Sequence, residues 1–503
     1  MLYITLASLA AFAGTSDPLP QVTVTKDNTV IDRSCVIVIP AGTIIADADN
    51  NGVIQVKAGT TPITIEFADG SALWGGKQAA DVPGGPWDTY AGTGIRIEGR
   101  AGVTLRGARV HGFKVGVVAE KTPGLTIEGG DFSDNYRQRL RSTPLAEDGA
   151  DWMSPHRDDN YEWTKTYGAA VYIRDASNVT VRNVKVRRGQ NGILIHGVND
   201  SKFYDNDCSF LSGWGLAMFR SSRNTISRNA FDFCVRGHVE GVYNRGQDSA
   251  GIICFEQNNN NVFAENSATH GGDGFFGFAG LEAIGENKPP AGFDATRKGC
   301  NDNLLIDNDF SYAPAHGIEM TFSFGNKYIR NRLVENAICG IWAGFSQDSL
   351  IAENTFEGNG GMAYGLERGG INIEHSANNI VVNNDFVNNK CAIHYWWRPP
   401  GNFENNAWGK ANYKGVVGNI IAGNRFSIND QHPFKRMSEQ DKLIVLQLRD
   451  DSPDGSKVKG TVFANNKVVI ASPRGVEFDV KAGIEVIKTG ETPKYEIPKY
   501  EVL

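Results

Sequence analysis

Along most of the chain, large apolar residues alternate with other residues in short stretches entered through a glycine or an asparagine. The stretches are NGILIHG from Asn191, WGLAMFR from Trp214, AGIICFE from Ala250, DGFFGF from Asp273, HGIEMTF from His316, CGIWAGF from Cys339, GGINIEH from Gly369 and CAIHYWW from Cys391. A period of two is that of a strand with one buried face, and no stretch carries a helical period. Between these strands runs a second motif, N-x-apolar-x-x-N-x-apolar, read at RNTISRNAF, NNVFAENSA, DNLLIDNDF, DSLIAENTF, NNIVVNNDF and GNIIAGNRF. Its second Asn falls at 183, 206, 229, 266, 308, 331, 354, 384, 424 and 466, and Gly107 and Gly130 hold the same place earlier in the chain. The unit is 23 residues, and longer gaps are one unit plus an insertion.

A repeat of this length with short β-type runs predicts a solenoid, and the scattered leucines exclude a leucine-rich repeat. Each unit holds at least two strands, one ending at the Asn motif and one beginning at the Gly. The repeated Asn fits a turn at which side-chain amides stack and hydrogen-bond from coil to coil. The reading is an all-β, single-stranded parallel β-helix over residues 20–485, with coils of about 23 residues and long loop insertions. Residues 1–19 are read as a leader and 486–503 as an extended tail. Residues 20–75 are read as the starting strands that cover one end. The Asn-punctuated coils resemble the right-handed, pectate-lyase-like β-helix proteins of the carbohydrate-binding and sugar-hydrolase repeat type. That resemblance implies a right-handed solenoid and a place among polysaccharide lyases, glycoside hydrolases, uronan C5-epimerases and tailspikes. Neither the Asn-Thr-Asp and Gly-His-Gly signature of the pectin hydrolases nor the Asp-Pro-His-Asp signature of the alginate epimerases is present.

Aligned on the Gly, the following residue is always large and apolar and is expected inside. Three columns then face outward. The first reads Asn191, Trp214, Ala250, Asp273, His316, Cys339, Gly369, Cys391; the second Leu194, Ala217, Ile253, Phe276, Glu319, Trp342, Asn372, His394; the third His196, Phe219, Phe255, Phe278, Thr321, Gly344, Glu374, Trp396. An ordinary solvated face would carry Lys, Glu, Ser and Thr. Insertions at 134–167, 232–247 and 358–366 precede a Gly strand, and those at 280–298 and 397–413 follow one, so they are expected to wall a groove.

Asp273 and His316 share a column on adjacent coils, within reach of an Asp–His pair, and Glu319 lies three positions further along. These three are the candidate catalytic residues, joined by Tyr243 and Arg245 from the insertion before Ala250. Tyr243 or His316 would serve as base and Arg245 would neutralise a uronate in an elimination. Trp342, Asn372, Glu374, His394, Trp396, Trp397, His270 and His238 are the candidate substrate contacts. No cofactor is expected and no metal-ligand spacing stands out.

The chain has 503 residues, 58 of them Gly, 21 % charged, and a formal net charge of −7 without blocks of like charge, which gives no nucleic-acid footprint. Seven cysteines without CxxC spacing fit apolar filling positions. Residues 1–14, MLYITLASLAAFAG, read as a short secretory leader, and no other run is long enough to span a bilayer. The expectation is an exported enzyme that cleaves glycosidic bonds of a poly- or oligosaccharide. Hydrolysis is placed ahead of elimination or epimerisation because the net charge is negative, and a non-catalytic glycan-binding β-helix is the other class. Oligomeric state is not legible.

Overall fold

The structure is a computed structural model describing residues 18–429, apart from 363 and 364, and 441–503. The expected leader at 1–14 lies outside the described residues. All paired strands in the ladders are parallel, and two long sheets run the length of the molecule, one of 16 strands and one of 15. The Gly stretches form the 15-stranded sheet, with Trp214–Phe219, Ala250–Phe255, Asp273–Phe278, His316–Thr321, Cys339–Trp342, Gly369–Glu374 and Cys391–Trp397 as successive neighbours. The segments before each Asn, such as Thr225–Ser227 and Leu304–Ile306, form the 16-stranded sheet. A third face follows the Asn turn. It is a five-stranded sheet from Arg332–Val334 to Lys467–Ile470, continued upstream by single bridges through Asp309, Ser267 and Ala230 to Asp207.

The apolar residue after each Gly packs inside as expected: Ile193, Leu216, Ile252, Phe275, Ile318, Ile341, Ile371 and Ile393 are all fully buried in one continuous core. The Asn residues turn the corners. From Asn206 through Asn229, Asn266, Asn308, Asn331, Asn354, Asn384 and Asn424 to Asn466, each backbone N–H donates to the next coil's Oδ1 at 2.8–3.1 Å. Each Nδ2 also reaches a buried carbonyl, as Asn308 does to Phe263 O at 2.9 Å. One side chain thereby satisfies polar groups on two coils that would otherwise be buried unpaired. A second ladder, through Asn224, Asn261, Asn303 and Asn326, turns the opposite corner.

Two details of the repeat differ from the sequence reading. Val184, not Asn183, holds the ladder place in its coil, donating its amide to Asn206 Oδ1 at 3.2 Å. Asn183 falls one position earlier, in the left-handed column (φ 56) shared with Asp205, Arg228 and Glu265. The strand registers Thr104↔Thr126 and Thr180↔Lys202 also show that the uninterrupted early coils are 22 residues long. The extra residue that makes 23 enters in the turn between Asp207 and Trp214, since Lys185↔Asp207 are 22 apart and Ile193↔Leu216 are 23. The tail contributes Val486–Ile487 as a last strand and then runs back along the 16-stranded sheet. There Tyr495, Tyr500 and Val502 pack on Ile306, Ile329, Ala352 and Val382.

Among the described residues the α-helices lie in insertions: Glu162–Thr166, Leu281–Ile284 and Ala407–Asn412. These insertions do more than wall a groove. Met153, Trp163, Ile284 and Trp408 descend onto the outward face of the Gly sheet and form a second apolar core with Leu194, Trp214, Phe219, Ile253 and Phe255. The outward aromatic positions Trp214, Phe219 and Phe255 are thus covered by the insertions. All seven cysteines are buried and free. Among the described residues no helix is long and apolar enough to cross a membrane.

Candidate active site

Beyond the roofed part, the outward face of the Gly sheet carries charge. The strand His316–Thr321 lies beside Asp273–Phe278, with Ile318 opposite Phe275 and Glu319 opposite Phe276. This register places Asp273, His316 and Glu319 together: one donor atom from each lies within 4.8 Å of the others. All three are nearly fully buried, Glu319 being the most open at 8 %. The Asp273 carboxylate does not pair with the imidazole. It accepts the backbone amide of His316 at 2.8 Å, and the ring turns its Nε2 to within 3.8 Å of Glu319 Oε2. Neither ring nitrogen of His316 has a hydrogen-bond partner, and the ring stacks on the partly buried Trp342 at 5.4 Å and 20°.

Electrostatics follow from this crowding. Burial, with Asp273 alongside, holds the Glu319 carboxyl well above the usual carboxylate range. Burial also raises Asp273, though the His316 amide works in the opposite direction. Burial, with the Arg245 guanidinium nearby, keeps His316 well below its ordinary value and therefore neutral. Two acids not foreseen from sequence complete the cluster. Asp248 is pushed by burial up to about 7, and Glu367 accepts from Arg245 Nη2 at 2.6 Å. Asp248 lies two residues before Ala250, the strand position paired with Asp273, so the column alignment does not point to it. Asp273, His316 and Glu319 also present a donor set able to hold a divalent cation.

The other candidates fall elsewhere. Tyr243 closes a small hairpin with Val239 and packs its ring beside Gly237. His238 and His270 line one cavity of about 550 Å³ on the outer turn. There His270 stacks between Phe233 and Tyr312 at 4.5 and 4.8 Å. Asn372, His394 and Trp396 form a buried network. Trp396 Nε1 donates to Asn372 Oδ1 at 2.9 Å, and His394 Nδ1 reaches Leu366 O at 2.9 Å. Burial brings His394 down to about 3. Glu374, raised by burial to about 7, faces Arg398 at 3.5 Å. Trp397 points inward into the main core, with its indole N–H donating to Tyr413. A cavity of about 830 Å³ opens at the far end of the same strands, walled by Phe278, Phe322 and Phe403 with His156, Arg157, Glu286 and Asn406. Phe278 stands two residues beyond Phe276, the strand neighbour of Glu319, so this cavity lies roughly 7 Å along the strand from Glu319 and farther from Asp273.

The family model described as "right handed beta helix region" matches residues 169–283 and 286–407. The chain folds as a right-handed parallel β-helix. Among solved structures, this β-helix is similar to the mannuronan C-5 epimerase AlgE6 A-module of Azotobacter vinelandii, at 11 % identity, 91 % of each chain covered and a TM-score of 0.39. It is also similar to DFA-IIIase of Arthrobacter chlorophenolicus A6 (13 %, 66 % of this chain and 83 % of that one, 0.40). A third is PfbA, a surface adhesin of Streptococcus pneumoniae (14 %, 74 % and 81 %, 0.38). No curated protein matches the β-helix by sequence. At this level of likeness the solved structures carry nothing about its chemistry.

Proposed function

We propose that this β-helix cleaves glycosidic bonds by hydrolysis, with Asp273 and Glu319 as the working carboxyl pair. The observation that carries the reading is their approach to within 4.8 Å on the outward face of a sheet that also bears, further along the same strands, an aromatic-walled cavity of oligosaccharide size. Two acids this close do not both ionise readily, so their proton affinities separate. The His316 amide favours the charged form of Asp273, and burial favours the neutral form of Glu319. Glu319 then protonates the glycosidic oxygen as the C1–O bond breaks, and the Asp273 carboxylate attacks C1. In the second half Glu319 takes a proton from water, which displaces Asp273 from C1. The spacing is shorter than the roughly 6.5–9.5 Å that an inverting enzyme needs and near the roughly 5–5.5 Å of a retaining one. Neutral His316, stacked on Trp342, confines the Glu319 carboxyl from 3.8 Å by packing rather than by a hydrogen bond. Arg245 is already committed to Glu367, which favours this reading over an elimination that would need it for a uronate. Export is part of the same proposal, since a polysaccharide substrate lies outside the cell; the N-terminus of the mature protein tests it.

The test is product analysis over a panel of polysaccharides. New reducing ends without absorbance at 235 nm support hydrolysis, with turnover by Glu319→Gln lower by roughly 10²–10⁴-fold. Unsaturated products, or equal turnover by the variant, refute it.

A further inference from the structure

Five coils from the acid pair, roughly 24 Å along the axis, the same sheet carries a second cavity of about 470 Å³. Its chemistry is the reverse of the first. Arg96, Lys114 and Lys165 line it, against Glu120 as the one acid. The Tyr161 hydroxyl lies near the Glu120 carboxylate. Lys114 is half-buried against the Tyr136 ring at 3.3 Å and donates to Thr166 O at 3.2 Å. No carboxylate compensates its burial, which brings it down to about 8. Arg96 keeps a buried Nε without a hydrogen-bond partner. Between these cations stand the apolar side chains of Val115 and Val118 and the rings of Tyr161 and Tyr172. In a chain of net charge −7, such a concentration of under-compensated cations around an aromatic-lined hollow is a feature to explain.

We infer that this cavity binds one or two sugar units bearing an anionic group, a carboxylate or a sulfate. Arg96 and Lys114 take the charge, Lys165 closes the rim, and the apolar C–H face of the ring packs on Tyr161 and the valines. The cavity does not depend on the acid pair, and Trp163 and its neighbours roof the face between the two. It is an accessory binding site, whatever reaction the acid pair performs.

Saturation-transfer NMR titrations of the full chain with glucuronate, glucose 6-sulfate, glucose and inorganic sulfate test this. Saturable binding is expected for one or both anionic sugars, with glucose and inorganic sulfate at least tenfold weaker. The stronger of the two sugars identifies the anionic group. Lys114→Met and Arg96→Gln should each weaken binding by roughly tenfold or more. Lys165→Ala, at an exposed position, should weaken it less and leaves the fold undisturbed. Glu319→Gln should bind as the parent does, which separates this site from the hydrolytic one. The inference is overturned if glucose or inorganic sulfate binds equally well. It is also overturned if neither anionic sugar saturates, or if folded Lys114 and Arg96 variants keep full affinity.

Discussion

The Asp273 carboxylate accepts the backbone amide of His316 at 2.8 Å and leaves the imidazole facing Glu319. A charge relay through the ring is thereby replaced by a division of labour. The amide favours the anion of Asp273 against a burial that raises its carboxyl, and His316 stays neutral between Glu319 and Trp342. His316→Asn should keep the Asp273–amide bond, because that bond needs no side chain. It should lower turnover through loss of Glu319 positioning, by roughly 10-fold, far less than Glu319→Gln. Steady-state kinetics on the identified substrate check the order of the two effects.

The interior Asn ladder predicts a graded cost of substitution. Asn308→Ala strips one donor from Phe263 O and one acceptor from Asn266, both deep in the stack. The loss expected is roughly 2–4 kcal/mol. Asn466, at the end of the ladder and partly exposed, should cost less than half of that on the same change. Urea unfolding of the two variants makes the comparison.

Glu256 carries a pH dependence of stability. Burial, with Glu282 beside it, raises its carboxyl to about 8. The unfolded chain loses that proton near 4.3, so between about pH 4.5 and 8 the folded state binds more protons and stability falls as pH rises. Glu256→Gln keeps the shape without the ionisation. Its unfolding midpoint should match the parent near pH 4.5 and exceed it at pH 8.

Two parts of the account differ in how far the sequence reveals them. Period-two alternation and the Asn interval depend on local contacts between equivalent positions, so the three outward columns and the interior Ile and Phe residues are readable directly. The grouping of Asp273, His316 and Glu319 is readable for the same reason, because one register places all three, but the expected bond from the Asp273 carboxylate to the imidazole is not formed. The roof is not. Trp163 and Trp408 lie far from Leu194 and Phe255 in sequence, and nothing in a period of two tells whether an outward aromatic meets water or a loop. Trp397 lies one position of alternation beyond Trp396, and that single step puts it on the inner face of the strand rather than among the substrate contacts. Asp248 and Glu367 come from irregular insertions, where no repeat supplies a register.

The tail offers a further prediction. Its repeated Pro-Lys-Tyr-Glu segments set Tyr495 against Asn383 and Glu353, and place the Tyr500 hydroxyl 2.8 Å from Asp307. Removing residues 491–503 exposes Ile306, Ile329 and Val382 on the outward face of the 16-stranded sheet. The truncated protein should melt a few degrees lower and bind more of a hydrophobic dye, while its catalytic cluster is untouched.

The most direct measurement is a crystal structure of Glu319→Gln with an uncleaved oligosaccharide substrate. The account predicts the scissile glycosidic oxygen within about 3.2 Å of the substituted side-chain amide at position 319 and the anomeric carbon within about 3.5 Å of an Asp273 oxygen. The flanking sugars should extend toward Phe278 and Phe322. A scissile linkage bound away from Asp273, or sugar held only in the distant cationic cavity, would contradict it.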